Sequence, residues 1–194
     1  MKTKSNALSA IALFLCAVPL ARAHPGFGPA TGFDSGLEHP FSGWDHILAM
    51  VAVGFWAAQL RAPRLLPAAF LLAMSLGALA GHLTGPVPGV EQGIAATVFV
   101  LGLLIALQVR RPAAEAAAWV AAFAIFHGVA HGAEMPATAG GLAYGCGFVA
   151  ATAALLAAGV AAGTVAARHS PRAAKASGWL IAAAGVALAA VAIF

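Results

Sequence analysis

Charge is scarce in this chain. Only 8% of its 194 residues are Asp, Glu, Lys or Arg, while 62% are hydrophobic and the mean hydropathy is +0.92. A soluble domain carries about a quarter charged residues, so this apolar surplus belongs in lipid rather than in one oversized core. Cysteine is scarce as well. Cys16 and Cys146 stand alone in separate apolar stretches, which excludes a disulfide framework and a thiolate cluster for copper(I) or a tight zinc store. Neither a Walker loop nor a His-Glu-x-x-His sequence occurs. The isoelectric point of about 9.7 points to acidic partners, but Lys2, Lys4 and Arg22 fall in an N-terminal targeting stretch. Beyond it the basic and acidic residues nearly balance, which leaves no nucleic-acid footprint.

Long apolar runs are what the chain has in abundance. Met1–Ala23 reads as a cleavable signal peptide: Lys2 and Lys4 start it, Leu8–Leu20 is its apolar core, and Ala21-Arg22-Ala23 is the cleavage site. Residues 24–43 form a Gly- and Pro-rich segment, expected to lie outside the membrane without regular helix. Residues 44–194 are expected to be an all-α membrane domain, a bundle of six transmembrane helices. The spans are placed at Trp44–Leu60, Leu65–Thr84, Gln92–Val109, Glu115–Gly132, Gly140–Ala166 and Gly178–Phe194, each near the ~20 residues a crossing needs. The loops after the first, third and fifth spans hold Arg61, Arg64, Arg110, Arg111, Arg168, Arg172 and Lys175, and the other loops hold no base. The positive-inside rule makes that side cytoplasmic and puts both mature termini in the periplasm. Gly77/Gly81, Gly141/Gly145 and Gly159/Gly163 are small-xxx-small pairs, expected to be helix-packing surfaces.

This topology gathers the polar residues at one depth. His39, Asp45 and His46 stand at the outer entrance of the first span, His82 at the outer end of the second, and Glu91 at the start of the third. His127, His131 and Glu134 occupy the last turns of the fourth, on one helical face because offsets of four and seven return near the starting angle. An i, i+4 His pair can hold one metal ion, and Glu134 sits where the helix dipole disfavours a carboxylate. Ionisable groups are costly within a bilayer and point to a shared site. Bland readings compete. Ser42 and Asp45 resemble a capping box, Glu91 has the excuse of a first helical turn, His82 reads as interfacial, His169 as solvated, and a buried histidine can simply be core. His24 would become the N-terminal residue on cleavage, where its amine and imidazole together could chelate a metal.

The chain resembles the HupE/UreJ family of bacterial membrane proteins. The resemblance rests on His39-Pro40, Gly43, Asp45-His46 and Ala49-Met50, then on Phe126-His127-Gly128-Val129-Ala130-His131-Gly132-Ala133-Glu134. It implies a nickel permease of the inner membrane, with cobalt as the other ion, serving hydrogenase or urease maturation proteins. It also implies roles for His39, Asp45, His46, His131 and Glu134, with His127 in the same motif. Glu91 is added from its depth and from its likeness to an acid the family carries between the two motifs. The expected metal set is therefore His39, Asp45, His46, Glu91, His127, His131 and Glu134, holding Ni2+ or Co2+ as transported substrate. No organic cofactor and no nucleic-acid partner are expected. Two alternatives remain at this point: a membrane-embedded zinc hydrolase, and a metal sensor or delivery module that moves no ion.

Overall fold

The computed structural model describes residues 32–135 and 141–192. The expected signal peptide, with Cys16, and His24 lie outside the described residues. Seven helices and no strand occur among those described: α1 (Phe33–Glu38), α2 (Trp44–Gln59), α3 (Leu65–Thr84), α4 (Val90–Ala106), α5 (Ala113–Glu134), α6 (Gly141–His169) and α7 (Pro171–Val191), with a 3-10 turn at His39–Phe41. Four of them, α3, α5, α6 and α7, are long and apolar enough to cross a membrane.

The central element is α2. It is apolar all round, which in a helix means burial on every side. Ala49, Met50, Ala52, Val53, Trp56 and Ala57 are completely buried, and α2 packs against α3, α4, α6 and α7. Its sixteen residues and the seventeen of α4 make these the two short helices of the bundle. Both end the same way. Arg61 and Gln108 adopt left-handed backbone, φ 57° and 51°, and the amide after each reaches back five residues, Ala62 to Ala57 and Val109 to Leu104. This is the Schellman closure, here built without glycine. Trp56 Nε1 then donates to the Val109 carbonyl at 3.1 Å and its ring stacks on Trp119, tying the arginine-bearing ends of α2, α4 and α5 together.

Glycine faces set how closely the helices approach. Gly77 and Gly81 of α3 meet the backbone of Ile125, Gly128 and Val129, while Gly128 and Gly132 of α5 meet that of Met74 and Ala78. The pairing rises in step along both helices, so α3 and α5 run parallel and the chain must return between them through α4. Gly54, Gly159 and Gly163 make the corresponding parallel seam between α2 and α6, and Gly102, Gly178 and Gly185 an antiparallel one between α4 and α7. Without a hydrophobic force between helices in lipid, such contact is what holds them. The pair Gly141/Gly145 departs from expectation: an added Cβ at either would meet nothing within 4 Å, so these glycines pack against no described residue.

Three boundaries also differ. The loop expected at Ala167–Ser177 is nearly all helix, and only Ser170 separates α6 from α7. Ser170 caps α7 by accepting from the Ala173 amide at 3.1 Å, and Pro171 takes the first helical turn, where its missing amide costs nothing. The start of α4 comes two residues earlier than expected, at Val90, after Gly89 in left-handed backbone. Finally, the segment expected to lack regular helix contains α1. Its Gly36 is a contact surface rather than a breaker, because a Cβ there would strike the Tyr144 carbonyl of α6.

Replacing Gly128 by Val should destabilise the bundle by about 1–3 kcal/mol, the usual cost of overpacking, since the new atoms meet the Met74 carbonyl. Thermal unfolding in detergent measures this, with Gly145→Val as the neutral control.

Candidate metal centre

The site begins with the way the chain enters α2. Pro40 is buried in the 3-10 turn, and Ser42 Oγ donates to the His39 carbonyl at 2.7 Å, which curls His39 back over the helix start. The capping box expected of Ser42 and Asp45 does not form. The residue before α2 is Gly43, in extended backbone with no side-chain cap, and Ser42 is spent on His39. A side chain at Gly43 would collide with the Asp45 carboxylate. With that space open, Asp45 Oδ1 lies 2.6 Å from His46 Nδ1.

The other half comes from α5. His127 and His131 are 0% and 2% exposed, held inward because Gly128 and Gly132 occupy the neighbouring face against α3. His39 Nε2 lies 2.9 Å from His131 Nδ1 and 3.6 Å from Glu134 Oε2. The His46 and His131 rings are 4.1 Å apart. One nitrogen each from His39, His46 and His131 falls within 4.8 Å of the other two. On the third side α6 contributes apolar walls: the Phe148 ring is 4.5 Å from that of His131 and 5.8 Å from that of His39, and Tyr144 flanks His39 at 5.9 Å. Burial lowers the His39 pKa from 6.5 to about 4; the neighbouring His46 adds to this and Asp45 opposes it. At neutral pH its ring is therefore uncharged and its free lone pair can bind a cation.

Beside the imidazoles opens a cleft of about 620 Å³, walled by Pro86–Gln92, by the ends of α5 and α7, and by the carboxylates of Asp45, Glu91 and Glu134; it meets the cluster through Asp45, against His46, and Glu134, near His39. No Lys or Arg among the described residues lines it. Its three acids suit a cation, and the convergent imidazoles beside Asp45 and Glu134 suit a borderline divalent ion.

Of the seven residues singled out from sequence, His39, Asp45, His46 and His131 come together, with Glu134 at their edge. His127 adjoins them one turn deeper, its ring 5.7 Å from that of His46. Glu91 stands apart, exposed on the cleft wall. His82 and His169 are exposed at the ends of α3 and α6 and Cys146 is exposed on α6; none joins the cluster. Sequence reasoning misses Thr97, 4% exposed on α4, whose Oγ1 is 3.1 Å from His127 Nε2. A lone Thr in an apolar helix carries no pattern that could have revealed it. Phe148 and Tyr144 are missed for the same reason.

Comparison with known proteins agrees with the family resemblance. The family model described as HupE / UreJ protein matches residues 11–188. A curated relative, Protein HupE of Rhizobium leguminosarum bv. viciae, is 55% identical over 60 residues, which is 30% of this chain and 31% of that protein. The aligned stretch thus spans about a third of the relative's length. No solved structure matches.

His39 also sets a pH dependence. Its folded pKa is about 4 against 6.5 for the unprotected group, so the unfolded chain takes up the proton first. The stabilisation is full above pH 6.5 and declines as pH falls from there toward 4. His39→Gln should flatten that part of the acid melting curve of the metal-free protein, measured by thermal unfolding across the same window.

Proposed function

The chain belongs to the HupE / UreJ protein family and is a multi-pass protein of the bacterial inner membrane, and from that premise we propose that it is a nickel uptake permease, with cobalt as the alternative substrate. In this reading α2 to α7 all cross the membrane, in the orientation that puts the seven loop bases in the cytoplasm and both mature termini in the periplasm. The short helix α4 crosses because the chain must return between the parallel helices α3 and α5, and α2 crosses alongside α6, to which it is packed in parallel. The N-terminal stretch is a signal peptide that delivers residue 24 onward to the periplasm.

The substrate enters the cleft from the periplasm. Asp45, Glu91 and Glu134 offset its charge, and His39, His46, His127 and His131 supply nitrogen ligands. The observation that carries the reading is the convergence of three imidazole nitrogens within 4.8 Å, next to two carboxylates, Asp45 and Glu134, that also line an acidic cleft. Imidazole and carboxylate exchange readily, as a conducting site requires: binding must be firm enough to enter and weak enough to leave. Facilitated diffusion or coupling to another ion drives the passage, and the nickel serves hydrogenase or urease maturation proteins. The protein is a transporter rather than an enzyme, and nothing among the described residues favours the hydrolase alternative.

Cells carrying His46→Ala together with His131→Ala should lose nickel accumulation at low external nickel by tenfold or more, with the protein still in the membrane by immunoblot. Accumulation of radioactive nickel at the wild-type rate would sink the reading. Supplying cobalt in the same assay tells the two ions apart.

A further inference from the structure

The permease reading leaves one buried contact unexplained, that between Thr97 and His127. Resting on that reading, we propose that Thr97 is a positioning residue that holds the His127 proton on Nε2 and leaves its Nδ1 lone pair free, giving the cation a second station one helical turn beneath the three-histidine group.

The tautomer follows from counting protons. Thr97 Oγ1 lies 2.7 Å from the Ile94 carbonyl, which can only accept, so the hydroxyl's single proton goes there. Toward His127 Nε2, at 3.1 Å, the hydroxyl can then only accept. His127 therefore carries its proton on Nε2, and Nδ1 keeps its lone pair. That Nδ1 is buried and has no partner among the described residues. A buried acceptor left unpaired costs stability with no return, unless a ligand visits it. A ring nitrogen that donates to an oxygen relay while the other nitrogen stays free is the arrangement of a metal-ligating histidine. Here the relay is Thr97 to Ile94.

His127 belongs to a second station because of depth. It precedes His131 by four residues, about 6 Å along the helix axis, and it is not one of the three histidines whose nitrogens converge. The His46 ring stands between, 4.1 Å from His131 and 5.7 Å from His127. An ion that keeps His46 can exchange His131 for His127 and so move inward by one turn. His131 Nε2, also buried and without a partner among the described residues, faces the same step.

The experiment uses the full chain in proteoliposomes with nickel outside. Thr97→Val keeps the β-branched shape and removes the hydroxyl. It should slow nickel flux about tenfold or more, the usual cost of losing such a relay. Half-saturation should hold, since capture uses His39, His46 and His131, and Thr97→Ser should restore the rate. Nitrogen NMR of labelled histidine, assigned by His127→Gln, should place the His127 proton on Nε2 in the wild type and show a mixture of the two neutral tautomers in Thr97→Val. Wild-type flux in Thr97→Val, failure of Ser to restore it, or a wild-type proton on Nδ1 overturns the proposal. If the valine variant does not fold, the wild-type tautomer decides alone. The His46→Ala, His131→Ala double variant runs alongside. If it also transports normally, the permease reading fails; if it is dead while Thr97→Val is unaffected, only the positioning role fails.

Discussion

Imidazoles crowded together inside an apolar bundle have lone pairs that water cannot reach and neighbours cannot all satisfy. That constraint governs this protein. His39 and His131 meet at 2.9 Å and can share one proton, and His127 gives its proton to Thr97. His127 Nδ1 and His131 Nε2 have no partner among the described residues. Desolvating polar groups without partners is expensive in lipid as in a core. A fold that tolerates it must hold the groups rigidly enough that they cannot turn to other partners.

The rigidity comes from small residues. The α3–α5 seam at Gly77, Gly81, Gly128 and Gly132 brings two backbones into direct contact, which fixes the rotation of α5 and so the direction of His127 and His131. The face of α3 away from that seam carries Leu72, Leu76, Leu79 and Leu83, all exposed, an arrangement suited to acyl chains. At the other end of the bundle Trp56, Trp119 and the Val109 carbonyl lock α2 to α4 and α5. Arg111 sits 5.3 Å from the centre of the Trp119 ring, a cation–π contact. The site is thus held from both ends of its helices.

Much of this was legible in the sequence because hydropathy and loop charge are one-dimensional signals. The bounds of α2 and α3 follow directly from apolar run length, and the His39–His46 and His127–Glu134 motifs do converge. What was not legible depends on neighbours. Gly36 reads as a breaker until Tyr144 is known to lie against it. Gly141 and Gly145 read as a packing pair, yet they pack against no described residue. Ser170-Pro171 reads as part of a loop although one capping hydroxyl suffices to start α7. Thr97 matters only through a histidine thirty positions away, a relation that no local pattern encodes.

The depth of His127 has an electrical consequence. Seven residues separate it from Glu134, about 10 Å along α5, or roughly a third of that helix. In the proposed orientation, a divalent ion that reaches His127 has already traversed about a third of the transmembrane voltage. With 2.3 kcal/mol per charge per 100 mV, the inward-negative potential would favour that position over the cleft mouth by about 1.5 kcal/mol for each 100 mV. The occupancy of the inner histidine would then rise and fall with the energised state of the cell, and the metal supply with it.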